Sequence, residues 1–238
     1  MRQFVVVGAG GTASHLIHAL VQYARALGDH KIHIWDADHV EEKNLERQLF
    51  YEHEVGLPKA DAFRQRWPSS ISAHLEYVGG DNIERVIKDG DTVLICADNM
   101  AVRRVINERA KALDDVCVIN GGNERHTGSV QLYPRTDGHP DAPALDFGSP
   151  EFDPANDEVD RSELSCAEIA ELPGGEQTIV ANQTVAAMMM AALYRYDNTL
   201  HIPVTDRPRT WTKMTFDHEE GLVQTSDVRM LRGWADAS

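Results

Sequence analysis

Phe4-Val5-Val6-Val7-Gly8-Ala9-Gly10-Gly11-Thr12-Ala13 decides the fold of this chain. Four β-rich residues end in a glycine cluster, and from Ser14 to Leu27 apolar residues recur at Leu16, Leu20, Ala24 and Leu27, a helical spacing. The order is therefore strand, Gly-rich turn, helix. Lys31-Ile32-His33-Ile34-Trp35 reads as a second strand ending at Asp36, closing a βαβ unit of about 30 residues. A right-handed crossover makes the two strands parallel. Glycines without Cβ let backbone N–H groups and the positive end of the helix approach phosphates, so the loop points to a nucleotide without saying which. Read as GxGxxA, with Asp36 placed for a ribose hydroxyl, it fits a dinucleotide fold; the bland alternative is a tight turn with no ligand.

Outward from this unit, Asp91 to Ala97 and Val116 to Ile119 are continuous apolar runs typical of buried parallel strands, separated by a helical stretch from Ala101 to Ala112. Pro134, Pro140, Pro143, Pro150 and Pro154 then punctuate an Asp- and Gly-rich stretch in which no helix or regular strand is expected. We read residues 134–165 as a long crossover loop, and loops of that length are usually functional or mobile. Gln177 to Tyr194, with Met188-Met189-Met190, predicts a largely buried helix whose methionines serve the core. Two alternating segments, Thr210 to Phe216 and Leu222 to Val228, predict a β-hairpin within 205–232. The expectation is one α/β domain over 1–238: a Rossmann-like, doubly wound, mostly parallel sheet with a C-terminal β-hairpin extension.

Composition narrows the function classes. The chain has 238 residues, 42% hydrophobic and 26% charged, values that exclude a disordered or fibrous protein. Twenty-three Lys plus Arg against 38 Asp plus Glu give a net charge of −15, which disfavours nucleic acid and anionic membranes as partners. Three cysteines, Cys96, Cys117 and Cys166, form no CxxC pair and no disulfide framework, so a reducing compartment is expected. No leader pattern precedes the first strand and nothing approaches the roughly 18 apolar residues of a membrane span, which reads as a soluble cytoplasmic protein. Among 11 histidines only His15 and His18 share a predicted helix, and a helix-surface pair explains them better than a metal site. His126 and His139 near the loop are read as solvated, with acid–base work as the alternative. The acidic residues of the loop, from Asp137 to Asp160, read as a solvated face or as a steering field for a basic partner.

After Asp36 come Ala37-Asp38, then His39-Val40-Glu41-Glu42-Lys43-Asn44-Leu45-Glu46-Arg47-Gln48, then Val55-Gly56-Leu57-Pro58-Lys59-Ala60, and later Cys96-Ala97-Asp98-Asn99 with Arg103. With the glycine loop, these elements resemble the ThiF, MoeB and HesA family of ubiquitin-activating-like adenylating enzymes over roughly Phe4 to Asn123. Ser165-Cys166-Ala167-Glu168, with Gln177 and Asn182, also looks like phage and plasmid-borne ThiF proteins. The sequence departs from the family pattern at Ala13, in lacking the CxxC zinc pairs, and in starting its first strand without a preceding arginine-bearing helix, for which Arg2 is a poor substitute.

The resemblance implies a homodimer that adenylates the C-terminal carboxylate of a ubiquitin-like or sulfur-carrier protein ending in Gly-Gly, with ATP and Mg²⁺. It implies that Gly8, Gly10 and Gly11 line the phosphates, that Asp36 holds the ribose, and that Asn44, Arg47, Gln48 and Lys59 hold the triphosphate. Asp98 would bind the metal, with Asn99 beside it. Asp38 is left between a cap and a position behind the Mg²⁺, and Arg103 between a site role and an ion pair. Electrostatics agrees, because charge building on phosphoryl oxygens is stabilised by fixed cations. Taken singly, Arg47 and Lys59 would read as a solvated helix face and Asp98 as a helix cap. Cys96 and Cys117 read as buried small hydrophobes. Cys166 reads either as the acceptor of the activated carboxyl in a thioester or as an ordinary loop cysteine. Two rival readings stand beside this one: an NAD-dependent Rossmann oxidoreductase, and a non-catalytic partner subunit that binds a ubiquitin-like protein.

Overall fold

A computed structural model describes residues 2–28, 30–140, 177–200 and 213–226. The first strand, β1 (Phe4–Val7), leads into α1 (Gly11–Ala26), β2 (Ile32–Trp35), α2 (Lys59–Arg66) and β3 (Ile71–His74). Then follow α3 (Ile83–Val86), β4 (Asp91–Ile95), α4 (Met100–Lys111), β5 (Val116–Asn123), β6 (Thr127–Thr136) and β7 (His139–Pro140). The described chain ends with α5 (Ile179–Thr199), β8 (Lys213–Asp217) and β9 (Leu222–Ser226).

All described strands form one sheet in the order β3-β2-β1-β4-β5-β6-β8-β9, with β7 paired to β6. The first five are mutually parallel and the rest antiparallel, so the expected mostly parallel, doubly wound sheet is present. The period-2 pleat splits each central strand between two cores. Phe4, Val6, Ile32, Ile34 and Leu94 face α1, α2 and α5, whereas Val5, Val7, Val93 and Ile95 face α3 and α4. Burial on both faces explains why these strands read as unbroken apolar runs. Met188 and Met189 of α5 are buried, as core methionines should be. Val7 pairs with both Trp35 and Ile95, so β1, β2 and β4 end at one level. Strand order reverses at β1, and the crevice beyond the carboxyl ends at such a switch point is where ligands bind.

One expectation is overturned. A regular strand does enter the proline-punctuated stretch: β6 runs antiparallel to β5 through Pro134 to Thr136. Pro134 falls between Gln131, the last β6 residue paired to β8, and Arg135, the first paired to β7, so neither of those described ladders includes it. Asp137 and Gly138, with φ of 49° and 73°, then turn the chain into β7 as a two-residue hairpin. The hairpin β8–β9 is present, with its described strands confined to Lys213–Ser226. The rest of the loop at 141–165, Cys166 and the outer parts of 205–232 lie outside the described residues.

Candidate functional site

Backbone geometry shapes the floor of the crevice. Gly8 has φ of +90°, and a Cβ there would lie 2.9 Å from the Ala97 nitrogen and 3.0 Å from the Cys96 carbonyl carbon. Only glycine lets β1 turn this close to the end of β4. Gly10 is the N-cap of α1 and supplies no side-chain acceptor to the first turn, which also carries no acid. A Cβ on Gly10 would meet nothing within 4 Å, so the loop opens outward there. Uncapped N–H groups at a helix start are a ready anion site. Gly11 is needed for packing: a Cβ would lie 2.7 Å from Oδ1 of Asn182 on α5.

Asp36, at the end of β2, is 7% exposed, and both of its oxygens are taken by main chain. The Ala9 N–H donates to Oδ2 at 2.6 Å and the Asp38 N–H to Oδ1 at 2.7 Å, which ties the glycine loop to β2. Burial pushes the Asp36 carboxyl above its ordinary value, against the pull of Lys59. Lys59 opens α2 with its side chain only 8% exposed, and its ammonium lies 3.0 Å from Oδ2 of Asp38. The Tyr77 hydroxyl donates to Oδ1 of Asp38. Burial opposes ionisation of Asp38, yet Tyr77 and Lys59 together hold its carboxyl below the ordinary range.

The segment between β2 and α2 is pinned at several points. Asn44 is buried and its Oδ1 accepts the Glu41 N–H at 3.0 Å. The Leu49 N–H donates to Ser14 Oγ at 3.1 Å, and Arg66 clamps Glu54. Asn182, fully buried, donates from Nδ2 to the Arg47 carbonyl at 3.4 Å, while its Oδ1 lies within reach of the Thr12 hydroxyl. The half-buried Arg47 guanidinium has no carboxylate partner among the described residues. Gln48 is 6% exposed and its Oε1 has no hydrogen-bond partner among the described residues.

At the end of β4, Asp98 accepts a hydrogen bond at Oδ2 from Nε2 of Gln177, 2.6 Å away. Asn99 caps α4, its Oδ1 accepting the N–H groups of Ala101 at 2.8 Å and Val102 at 3.3 Å. Arg103 is buried and donates to the carbonyls of Ala97 and Gly121, bracing the ends of β4 and β5. Cys96 and Cys117 are buried, and burial pushes the Cys96 thiol far up, which favours its neutral form.

Gly8, Asp36, Asp38, Asp98 and Asn99 thus lie just beyond the carboxyl ends of β1, β2 and β4, Gly10 and Gly11 open α1 beside them, Lys59 reaches Asp38 from α2, and Asn44, Arg47 and Gln48 lie on the segment between β2 and α2. Cys166 lies outside the described residues. Tyr77 was missed, because a lone tyrosine after a short strand carries no pattern. Among the described residues no three His, Cys, Asp or Glu side chains group as a metal site, and no helix is long and apolar enough to cross a membrane. His18 is exposed and edge-on to Trp67, whereas His15 is half-buried, with burial lowering its pKa, so the two do not form the expected surface pair.

The chain is 31% identical over 137 residues to the adenylyltransferase and sulfurtransferase UBA4 of Yarrowia lipolytica, a match over 56% of this chain and 33% of that protein. It is 33% identical over 123 residues to the SAMP-activating enzyme E1 of Haloferax volcanii, over 49% and 42% of the two chains. The chain spans about a third of the length of the UBA4 and MOCS3 relatives it matches. Escherichia coli MccB, solved with ATP, has the same fold: TM-score 0.68 at 17% identity, over 94% of this chain and 63% of that one. PaaA superposes with a TM-score of 0.61 at 16% identity, over 96% and 64%. The ThiF family model matches residues 2–216, nearly the whole sheet and every site residue named above, and the chain belongs to the ThiF family.

Proposed function

We propose that this chain is a single adenylation domain, cytoplasmic and homodimeric, that uses ATP and Mg²⁺ to activate the C-terminal carboxylate of a ubiquitin-like or sulfur-carrier protein ending in Gly-Gly. One observation carries the reading: an open glycine loop, Lys59 held by Asp38 past the end of β2, and Asp98 with a single hydrogen bond among the described residues lie at the same end of the sheet, and Arg47 on the β2–α2 segment adds a cation without a described carboxylate partner. The names of the relatives, adenylyltransferases and a SAMP-activating enzyme, belong to the same class of chemistry.

In the reaction a carboxylate oxygen attacks the α-phosphorus of ATP. A carboxyl–phosphate bond forms, the bridging bond to the β-phosphate breaks, and pyrophosphate leaves with the electron pair. The glycine loop and the first turn of α1 receive phosphate oxygens, and the fork of Arg47 spreads donors over them. Lys59, held at 3.0 Å by Asp38, supplies a point charge already in place. Asp98 would hold Mg²⁺, which is ordinarily bound by one or two carboxylates together with phosphates and would offset charge on the triphosphate. In a second step the Cys166 thiolate attacks the acyl carbon and expels AMP, leaving a thioester. An NAD-dependent oxidoreductase would use the glycine loop and Asp36 but leaves the Lys59–Asp38 pair and Arg47 without a task.

ATP–pyrophosphate exchange with small Gly-Gly-tailed proteins tests this directly. Wild type and Cys166→Ala exchange, while Asp98→Ala loses about 100-fold or more, as expected for removing a main electrostatic element. Absence of ATP binding by the wild type would overturn the reading in favour of a non-catalytic partner subunit.

A further inference from the structure

We propose that Gln177 is the positioning residue that sets the orientation of the Asp98 carboxylate toward Mg²⁺ and ATP, an inference that rests on the reading of Asp98 above. Gln177 lies 79 residues from Asp98 in the chain, yet its Nε2 donates to Asp98 Oδ2 at 2.6 Å. No other described residue hydrogen-bonds that carboxylate. Asp98 leaves β4 on a backbone fixed by Asn99, which caps α4, and by Arg103, which holds the Ala97 carbonyl at 3.0 Å. The backbone is thus set while the carboxylate's own torsions are not, and Gln177 supplies the missing restraint.

Its own placement is secured by the next residue. Thr178 is the N-cap of α5: its hydroxyl oxygen accepts the Ala181 N–H at 3.2 Å, and the hydroxyl donates to the Arg125 carbonyl at 3.0 Å. Gln177 is therefore held between the tip of the β5–β6 hairpin and the start of α5. The residue type suits the task. A neutral amide occupies one oxygen and leaves the full negative charge of Asp98 for a cation at Oδ1, whereas Lys or Arg in the same place would cancel it. Partners behind a metal ligand act in this way, orienting the ligand and setting its affinity.

The test is a Mg²⁺ titration of ATP binding to the full chain, read by calorimetry, for wild type, Gln177→Leu, Gln177→Ala and Asp98→Ala. Thermal unfolding of each variant confirms folding, which the half-buried position of Gln177 favours. The expected result is that both Gln177 variants need about tenfold more Mg²⁺ for half-maximal enhancement of ATP binding, with Mg²⁺-free ATP affinity unchanged. Asp98→Ala abolishes the enhancement. A wild-type Mg²⁺ response in folded Gln177→Leu and Gln177→Ala, with Asp98→Ala unresponsive, overturns the role of Gln177 and leaves that of Asp98 standing. Equal loss of ATP affinity with and without Mg²⁺ overturns it as well, since that marks a merely structural contact. A normal Mg²⁺ response in Asp98→Ala overturns the reading of Asp98 and this proposal with it.

Discussion

The ends of β2 and β4 both present aspartates to the crevice, but the chain treats them in opposite ways. At β2 all four oxygens of Asp36 and Asp38 are engaged: two backbone N–H groups hold Asp36, and Lys59 and Tyr77 hold Asp38. At β4 Asp98 has one oxygen bonded by Gln177, and no described residue donates to the other. The β2 end is a finished brace, which shapes the glycine loop and keeps a lysine ready. The β4 end carries a carboxylate with a single hydrogen bond among the described residues, which is the feature that the proposed cation would use. Buried carboxylates are costly unless paired, so the difference in burial between Asp36 and Asp98 follows the difference in partners.

Three substitutions would break or sharpen that contrast. Asp36→Ala has the largest effect on folding: it strands the Ala9 and Asp38 N–H groups and costs about 3 kcal/mol, measured by urea unfolding, with ATP binding weakened as the loop loosens. Retained stability would show the brace to be dispensable. Next, Asn99→Ala removes the cap of α4 and costs about 1 kcal/mol, visible as a lower Tm. A fall in ATP affinity larger than this loss explains would show that Asn99 binds ligand as well as capping the helix. The smallest effect, under about 1 kcal/mol, belongs to Asp38→Asn, because the Asp38 end of the pair is a third exposed and Asp36 stays beside the buried Lys59 ammonium. Its pH dependence is the informative part. The folded-state carboxyl of Asp38 is held low, so its contribution is present above the unfolded value near 4 and is lost as pH falls through the lower folded value. Wild type and Asp38→Asn therefore differ in urea midpoint at neutral pH and converge in acid. Asp36 has the opposite sign, its raised value lowering stability as pH climbs from about 4 through the folded value. A gap that widens in acid would contradict the assignment to Asp38.

What was legible in the sequence follows the same division. β1, β2, β4 and β5 were readable because burial on two faces leaves unbroken apolar runs, and the glycine loop because close approach and a positive φ demand glycine. β6 was not read as a strand and its end was hidden by Pro134: a proline removes a ladder bond only toward the one neighbour its N–H would face, and pairing partners are not visible from one strand alone. The Asp137-Gly138 turn did leave a signal, a dipeptide suited to tight hairpins. Gln177 and Asn182 stood out only as part of a resemblance. Their contacts with Asp98 and Arg47 span 79 and 135 residues, and no local periodicity encodes a contact at that distance.

The reach of Asn182 has a consequence for synthesis. A ribosome that has released β1 through β5 has made a sheet, a glycine loop and the Asp36 brace, all from the first half of the chain. The asparagine that packs on Gly11 and holds the Arg47 carbonyl arrives only with α5. A nascent chain stalled before that helix has the glycine loop without the side chain that packs against it, so the first turn of α1 gains its side wall only when α5 docks.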